Sequence, residues 1–106
     1  MRKVLAQRVQ VNVEGTVQGV GFRPFVYRLA QELELTGWVR NTRSGVLIEV
    51  EGDSLAVETF LQRLRADVPT SASVDAMSTT LVPALDETGF SILPCAESGQ
   101  RTLVIP

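Results

Sequence analysis

The chain has 106 residues, 44% of them hydrophobic, and ten Lys and Arg against twelve Asp and Glu give a formal net charge of −2. That length fits one domain, and the apolar share is too high for a disordered chain. A single cysteine excludes an internal disulfide framework and a cysteine-built zinc site, and the absence of histidine removes Ser-His-Asp, Cys-His and His-ligated metal chemistry.

Residues 1–7 read as an N-terminal extension. Val9, Val11 and Val13 then alternate with Gln10, Asn12 and Glu14, which predicts a half-buried strand over residues 8–14. Three glycines within residues 15–21 predict a loop with special backbone angles. Phe22, Phe25, Val26, Leu29, Ala30 and Leu33 recur at helical spacing, with Pro24 in the first turn, and predict a helix over residues 22–34. Residues 37–51 read as a hairpin. Trp38 and Val39 lie in its first arm, Thr42-Arg43-Ser44-Gly45 forms the turn, and Val46, Ile48 and Val50 alternate in the second arm. Gly52-Asp53-Ser54 offers helix caps, and Leu55, Ala56, Val57, Phe60, Leu61 and Leu64 predict a second helix over residues 54–67, which Pro69 stops. A weaker strand follows over residues 73–82, and Phe90 and Ile92 mark a last short one.

The order βαββαβ, with a possible extra edge strand, predicts an α+β fold: a ferredoxin-like sandwich of a largely antiparallel sheet with both helices on one face. Residues 8–94 form the domain, and residues 95–106 read as a linker and tail toward a downstream module that is absent here. Aliphatic runs reach only three or four residues, too short for a transmembrane helix, and Arg8 interrupts the apolar start too early for a signal peptide. A cytoplasmic location and no membrane partner are therefore expected. Without a Lys/Arg run the chain lacks the footprint of a nucleic-acid binder.

The loop over residues 15–21 is the strongest chemical feature. A helix N-terminus presents unpaired N–H groups and the positive end of the helix dipole, and a glycine-rich entry lets those groups converge on an anion. Arg23 in the first helical turn is disfavoured there by about 0.3–1 kcal/mol unless an anion occupies the loop. A tight turn followed by a solvated arginine is the other reading of the same residues. Gly19-Val20-Gly21-Phe22-Arg23-Pro24 is no dinucleotide fingerprint, because proline replaces the third glycine and no parallel βαβ unit follows; a G-K-[ST] element is missing altogether.

Gly15-Thr16-Val17-Gln18-Gly19-Val20-Gly21-Phe22-Arg23 resembles the acylphosphatase signature G-x-V-Q-G-V-x-F-R at every fixed position. Gly37-Trp38-Val39-Arg40-Asn41, with Gly45 beyond it, resembles the second motif of that family. The resemblance extends over residues 8–93 and implies a ferredoxin-like fold. Pro24, the short segment from Gly45 to Gly52 and the run Ser98 to Thr102 are similar to the amino-terminal acylphosphatase-like domain of HypF-type carbamoyltransferases.

The resemblance implies that Arg23 and the backbone N–H groups of Gly15, Thr16, Val17, Gln18, Gly19, Val20 and Gly21 hold the substrate phosphate. It implies that Asn41 positions the attacking water. Without the motif, Asn41 is a residue favoured at a hairpin turn. The implied substrate is an acyl phosphate, specifically carbamoyl phosphate. The implied setting is [NiFe]-hydrogenase maturation, with downstream HypF modules and a maturation partner, and no cofactor or metal is expected in this chain. A stand-alone acylphosphatase of broad specificity and a non-catalytic phosphate- or partner-binding module are the rival readings. Arg40 and Arg43 are expected to be solvated, with Arg40 pointing away from Asn41. Trp38 and Tyr27 read as packing residues, and Cys95, in the tail without a basic partner, as no nucleophile.

Overall fold

The computed structural model describes residues 6–17, 21–69 and 72–94. Residues 1–5 of the expected extension, the whole tail over residues 95–106 and the middle of the glycine loop (Gln18, Gly19 and Val20) lie outside the described residues, whereas Ala6 and Gln7, expected in the extension, open the first strand because they pair with Asp53 and Gly52. The first strand, β1 (Ala6–Thr16), is longer than its alternation predicts. Gly15 and Thr16, expected in the loop, are its last residues: after a register shift at Glu14/Gly15 they still pair with Val74 and Ser73.

Helix α1 (Phe22–Glu32) stops two residues short of the predicted end. Glu34 turns left-handed (φ 58°), so that Leu35 N–H donates to Ala30 O at 2.9 Å and Glu34 N–H to Gln31 O at 3.1 Å. This closure satisfies carbonyls the helix end leaves open and tucks Leu35 into the core. Strands β2 (Thr36–Asn41) and β3 (Gly45–Asp53) form the expected hairpin. Asp53 caps α2 (Ser54–Ala66) by accepting from Leu55 N–H at 3.3 Å. Strands β4 (Ser73–Val82) and β5 (Phe90–Ile92) lie where the sequence predicts them.

The strand order is β4-β1-β3-β2-β5, antiparallel throughout except for β5 beside β2. This is the ferredoxin-like α+β sandwich with β5 as the extra edge strand. Register explains the core. Val9, Val11 and Val13 face Val50, Ile48 and Val46, and Ile48 in turn faces Val39, so one face of the sheet is continuously aliphatic. Phe22, Val26 and Leu29 of α1 and Val57, Phe60 and Leu64 of α2 close over it, all buried. Each such side chain contributes roughly 1.5–3 kcal/mol of burial.

The opposite face carries Arg8, Gln10, Glu49 and Glu51. Arg8 is only 1% exposed and donates to Glu49 at 2.6 Å, Glu51 at 3.0 Å and Glu87 at 3.1 Å. Leu85 N–H and Asp86 N–H donate to the Glu51 carboxylate at 2.9 and 3.2 Å. The link between β4 and β5 is thereby strapped across this face, at the end where β1 begins.

Candidate active site

The described residues among those singled out by sequence, Gly15, Thr16, Val17, Gly21, Arg23 and Asn41, lie toward the other end of the sheet, where β1 ends. Glu14 pairs with Gly45 and Asn41 with Val46, so the exit of β1 lies against the β2–β3 turn. Gly15 N–H donates to Ser44 O at 3.2 Å and fixes the loop entrance to that turn. Gly15 has φ 142°, and a Cβ there would lie 2.2 Å from the Ser73 carbonyl oxygen. It is glycine because β4 passes too close for any side chain. Val17, which follows β1, is buried.

The helix side of the loop is shaped differently. Gly21 stands at the N-cap of α1 with φ 82° and open space around the missing Cβ, so its backbone angle, not crowding, favours glycine. Its carbonyl accepts from Phe25 N–H at 3.1 Å. Among the described residues no side chain caps α1, and its first turn holds no acidic residue. Arg23 lies in that turn, half-buried, with no hydrogen-bond or ion-pair partner among the described residues. Phe22, fully buried against Phe25 with ring centroids 5.7 Å apart, anchors the turn from below. Among the described residues the arrangement is a positive helix end with an unpartnered guanidinium beside it and nothing negative in the first turn, which suits a small dianion.

Asn41 closes β2. Its pairing with Val46, itself opposite Val13, puts all three side chains on the helix-covered face. Asn41 therefore stands at the rim of the core, about 10 Å across the sheet from β1 by strand spacing, on the face and at the end where α1 begins. Its Oδ1 is buried and has no hydrogen-bond partner among the described residues. A buried acceptor left open costs about 1–3 kcal/mol, and a bound water is the natural group to satisfy it. Thr42 N–H donates to Gly45 O at 2.9 Å and closes the turn behind it.

Arg43 is exposed, as expected, but Arg40 is only partly solvated. It is half-buried, its Cζ lies 5.1 Å from the Trp38 ring centroid, and its Nε is buried without a partner among the described residues. Alternation does turn it from Asn41, as the sequence predicts. The Trp38 indole on the same face captures the guanidinium, an i, i+2 contact along one strand that hydropathy cannot show. The Arg8 cluster also escaped sequence reading, since an arginine within an alternating strand looks solvent-facing.

A sequence profile of the acylphosphatase family matches residues 9–92. The chain is 50% identical to Carbamoyltransferase HypF2 of Cupriavidus necator over 92 residues, which are 86% of this chain and 11% of that protein. It is 39% identical to an acylphosphatase of Lactobacillus johnsonii over 87 residues, 80% of this chain and 96% of that one. A crystal structure of full-length HypF in its phosphate- and nucleotide-bound form superposes with a TM-score of 0.86 at 36% identity, covering 92% of this chain and 13% of that one. The chain thus spans about a tenth of its carbamoyltransferase relatives and nearly the whole of a small one. With the fold, the glycine loop and the hairpin motif in register, the chain belongs to the acylphosphatase family of hydrolases.

Proposed function

We propose that the domain hydrolyses acyl phosphates, with carbamoyl phosphate as the physiological substrate and a HypF-type carbamoyltransferase of hydrogenase maturation as the parent protein. The observation that carries this reading is the meeting, at one end of the sheet, of a helix N-terminus, Arg23 and the amide oxygen of Asn41, none of which has a side-chain partner among the described residues. The 50% identity to a carbamoyltransferase supports the choice of substrate and setting. The catalytic end serves the longer protein's transfer chemistry and its maturation partner. Among the described residues no helix is long and apolar enough to cross a membrane, and we place the reaction in the cytoplasm.

The chemistry needs little more than these groups. Loop N–H groups and Arg23 hold the phosphoryl oxygens and stabilise the charge that spreads over them. Asn41 accepts a hydrogen bond from water and aims its oxygen at phosphorus. The bond from phosphorus to the bridging oxygen breaks, and the carboxylate, or carbamate, leaves. An amide takes up no proton at neutral pH, so the water's proton passes to a phosphate oxygen of the substrate itself. Positioning supplies most of the acceleration.

Two measurements test this. The chain should release phosphate from carbamoyl and benzoyl phosphate. Inorganic phosphate should inhibit, and its titration should move the amide resonances from Gly15 to Arg23 before any others. Phosphate-induced shifts centred elsewhere, or no turnover of either substrate, contradict the proposal.

A further inference from the structure

Strand β2 carries Asn41 on one face and Arg40 on the other, in adjacent positions. Asn41 is the last residue of the strand, and its amide oxygen has no partner among the described residues. Nothing on the oxygen side therefore holds its rotation, and its aim comes from the backbone beneath it. That backbone is a strand end, where ladders fray. It is held by the pairing with Val46 and by the Thr42 N–H to Gly45 O bond at 2.9 Å. On the opposite face the Arg40 guanidinium lies back along the strand over Trp38, 5.1 Å from the ring centroid, with Nε buried and unpartnered. Trp38 is itself fixed between Glu49 of β3 and Ser91 of β5 in the sheet register.

A buried donor left open is a cost, and such groups need a reason. We infer that Arg40, stacked on Trp38, is a positioning residue: it clamps the end of β2 and so holds the Asn41 amide at the angle that aims the attacking water. The inference rests on the hydrolytic reading above. It assigns a role to an arginine that touches neither phosphate nor water.

Arg40→Leu keeps an apolar side chain at the position and removes the guanidinium. It should lower kcat about two- to tenfold, as loss of one cation–π contact at a half-buried site implies. KM and the phosphate inhibition constant should stay within twofold, because Arg23 and the loop are untouched. Trp38→Leu should do the same from the other side, and the double variant should be no slower than either single one. Trp38→Phe keeps a ring and should restore most of the rate, which a general packing role would not explain. Melting curves select the variants folded at assay temperature, and Trp38→Phe with Arg40→Leu suffices if Trp38→Leu is not among them. Since Trp38 is the single tryptophan, its emission should change in Arg40→Leu.

A second readout does not depend on turnover. Hydrogen exchange of the Thr42 amide should quicken in Arg40→Leu by a similar factor. Unchanged exchange overturns the clamp even in a chain that hydrolyses nothing, whereas absent wild-type turnover with faster exchange overturns only the hydrolytic reading. Equal losses in phosphate binding and kcat would also overturn it, because they place Arg40 at the phosphate.

Discussion

At the scale of single residues, the two glycines bounding the described parts of the loop are glycine for different reasons, and substitutions should separate them. Gly15 combines φ 142° with a neighbour at 2.2 Å from any Cβ, and that neighbour is backbone. Gly15→Ala must push β4 away, so it should lower the melting temperature by several degrees and disturb phosphate binding. Gly21 has φ 82° and free space. Asparagine tolerates that region and is a good N-cap, so Gly21→Asn should melt close to wild type. Thermal unfolding of both variants checks this; equal losses would mean that space at residue 15 does not matter. Glycine count and motif were legible in the sequence, but the difference between them was not, because it depends on how near β4 runs.

At the scale of elements, hydrophobic period located every strand and helix, while the ends moved where non-periodic forces act. Helix α1 ended early because Glu34 takes a left-handed turn, and β1 ran on through Gly15 because β4 pairs with it after a bulge. The strap between β4 and β5 had no periodic signal at all. Its anchor is Glu51: Leu85 N–H holds the carboxyl below the ordinary carboxylate range, against the opposing effect of burial, and Arg8 and Asp86 N–H add to it. A carboxyl with a depressed folded pKa contributes stability above its unfolded pKa of about 4.3 and loses it as pH falls through the folded value. Melting temperature should thus fall more steeply below about pH 4.3 in wild type than in Glu51→Gln. Parallel profiles would show that this carboxyl is not anchored as described.

The two arginine clusters give a sharper contrast. Arg8 is buried among three carboxylates, whereas Arg63 bridges Glu32 and Asp67 in the open. Removing one partner of a buried pair leaves the other charge uncompensated and costs about 3–5 kcal/mol. Arg8→Met should therefore unfold the domain at much lower denaturant than wild type, and Arg63→Met should scarcely change the midpoint. Similar midpoints for the two variants would contradict the assignment.

For the whole molecule, the fold class followed from element order, and the site followed from two motifs whose spacing in sequence says nothing of their meeting. The β1–β3 register joins them: it sets the β1 exit against the β2–β3 turn and leaves Asn41 on the face that α1 covers. Sequence could not supply that register or show that the Asn41 oxygen is buried and open. It misjudged Arg40 because a contact within one strand decides its environment. The central claim is a division of labour between Arg23, which binds phosphate in ground and transition states, and Asn41, which acts on water. Its most direct test is kcat and the phosphate inhibition constant for wild type, Arg23→Gln and Asn41→Ala. Arg23→Gln should weaken phosphate inhibition and slow turnover together. Asn41→Ala should lower kcat by about 10²–10³-fold, as loss of one preorganised polar group does, and leave phosphate inhibition nearly unchanged. Full kcat in Asn41→Ala, or wild-type phosphate affinity in Arg23→Gln, would contradict the account.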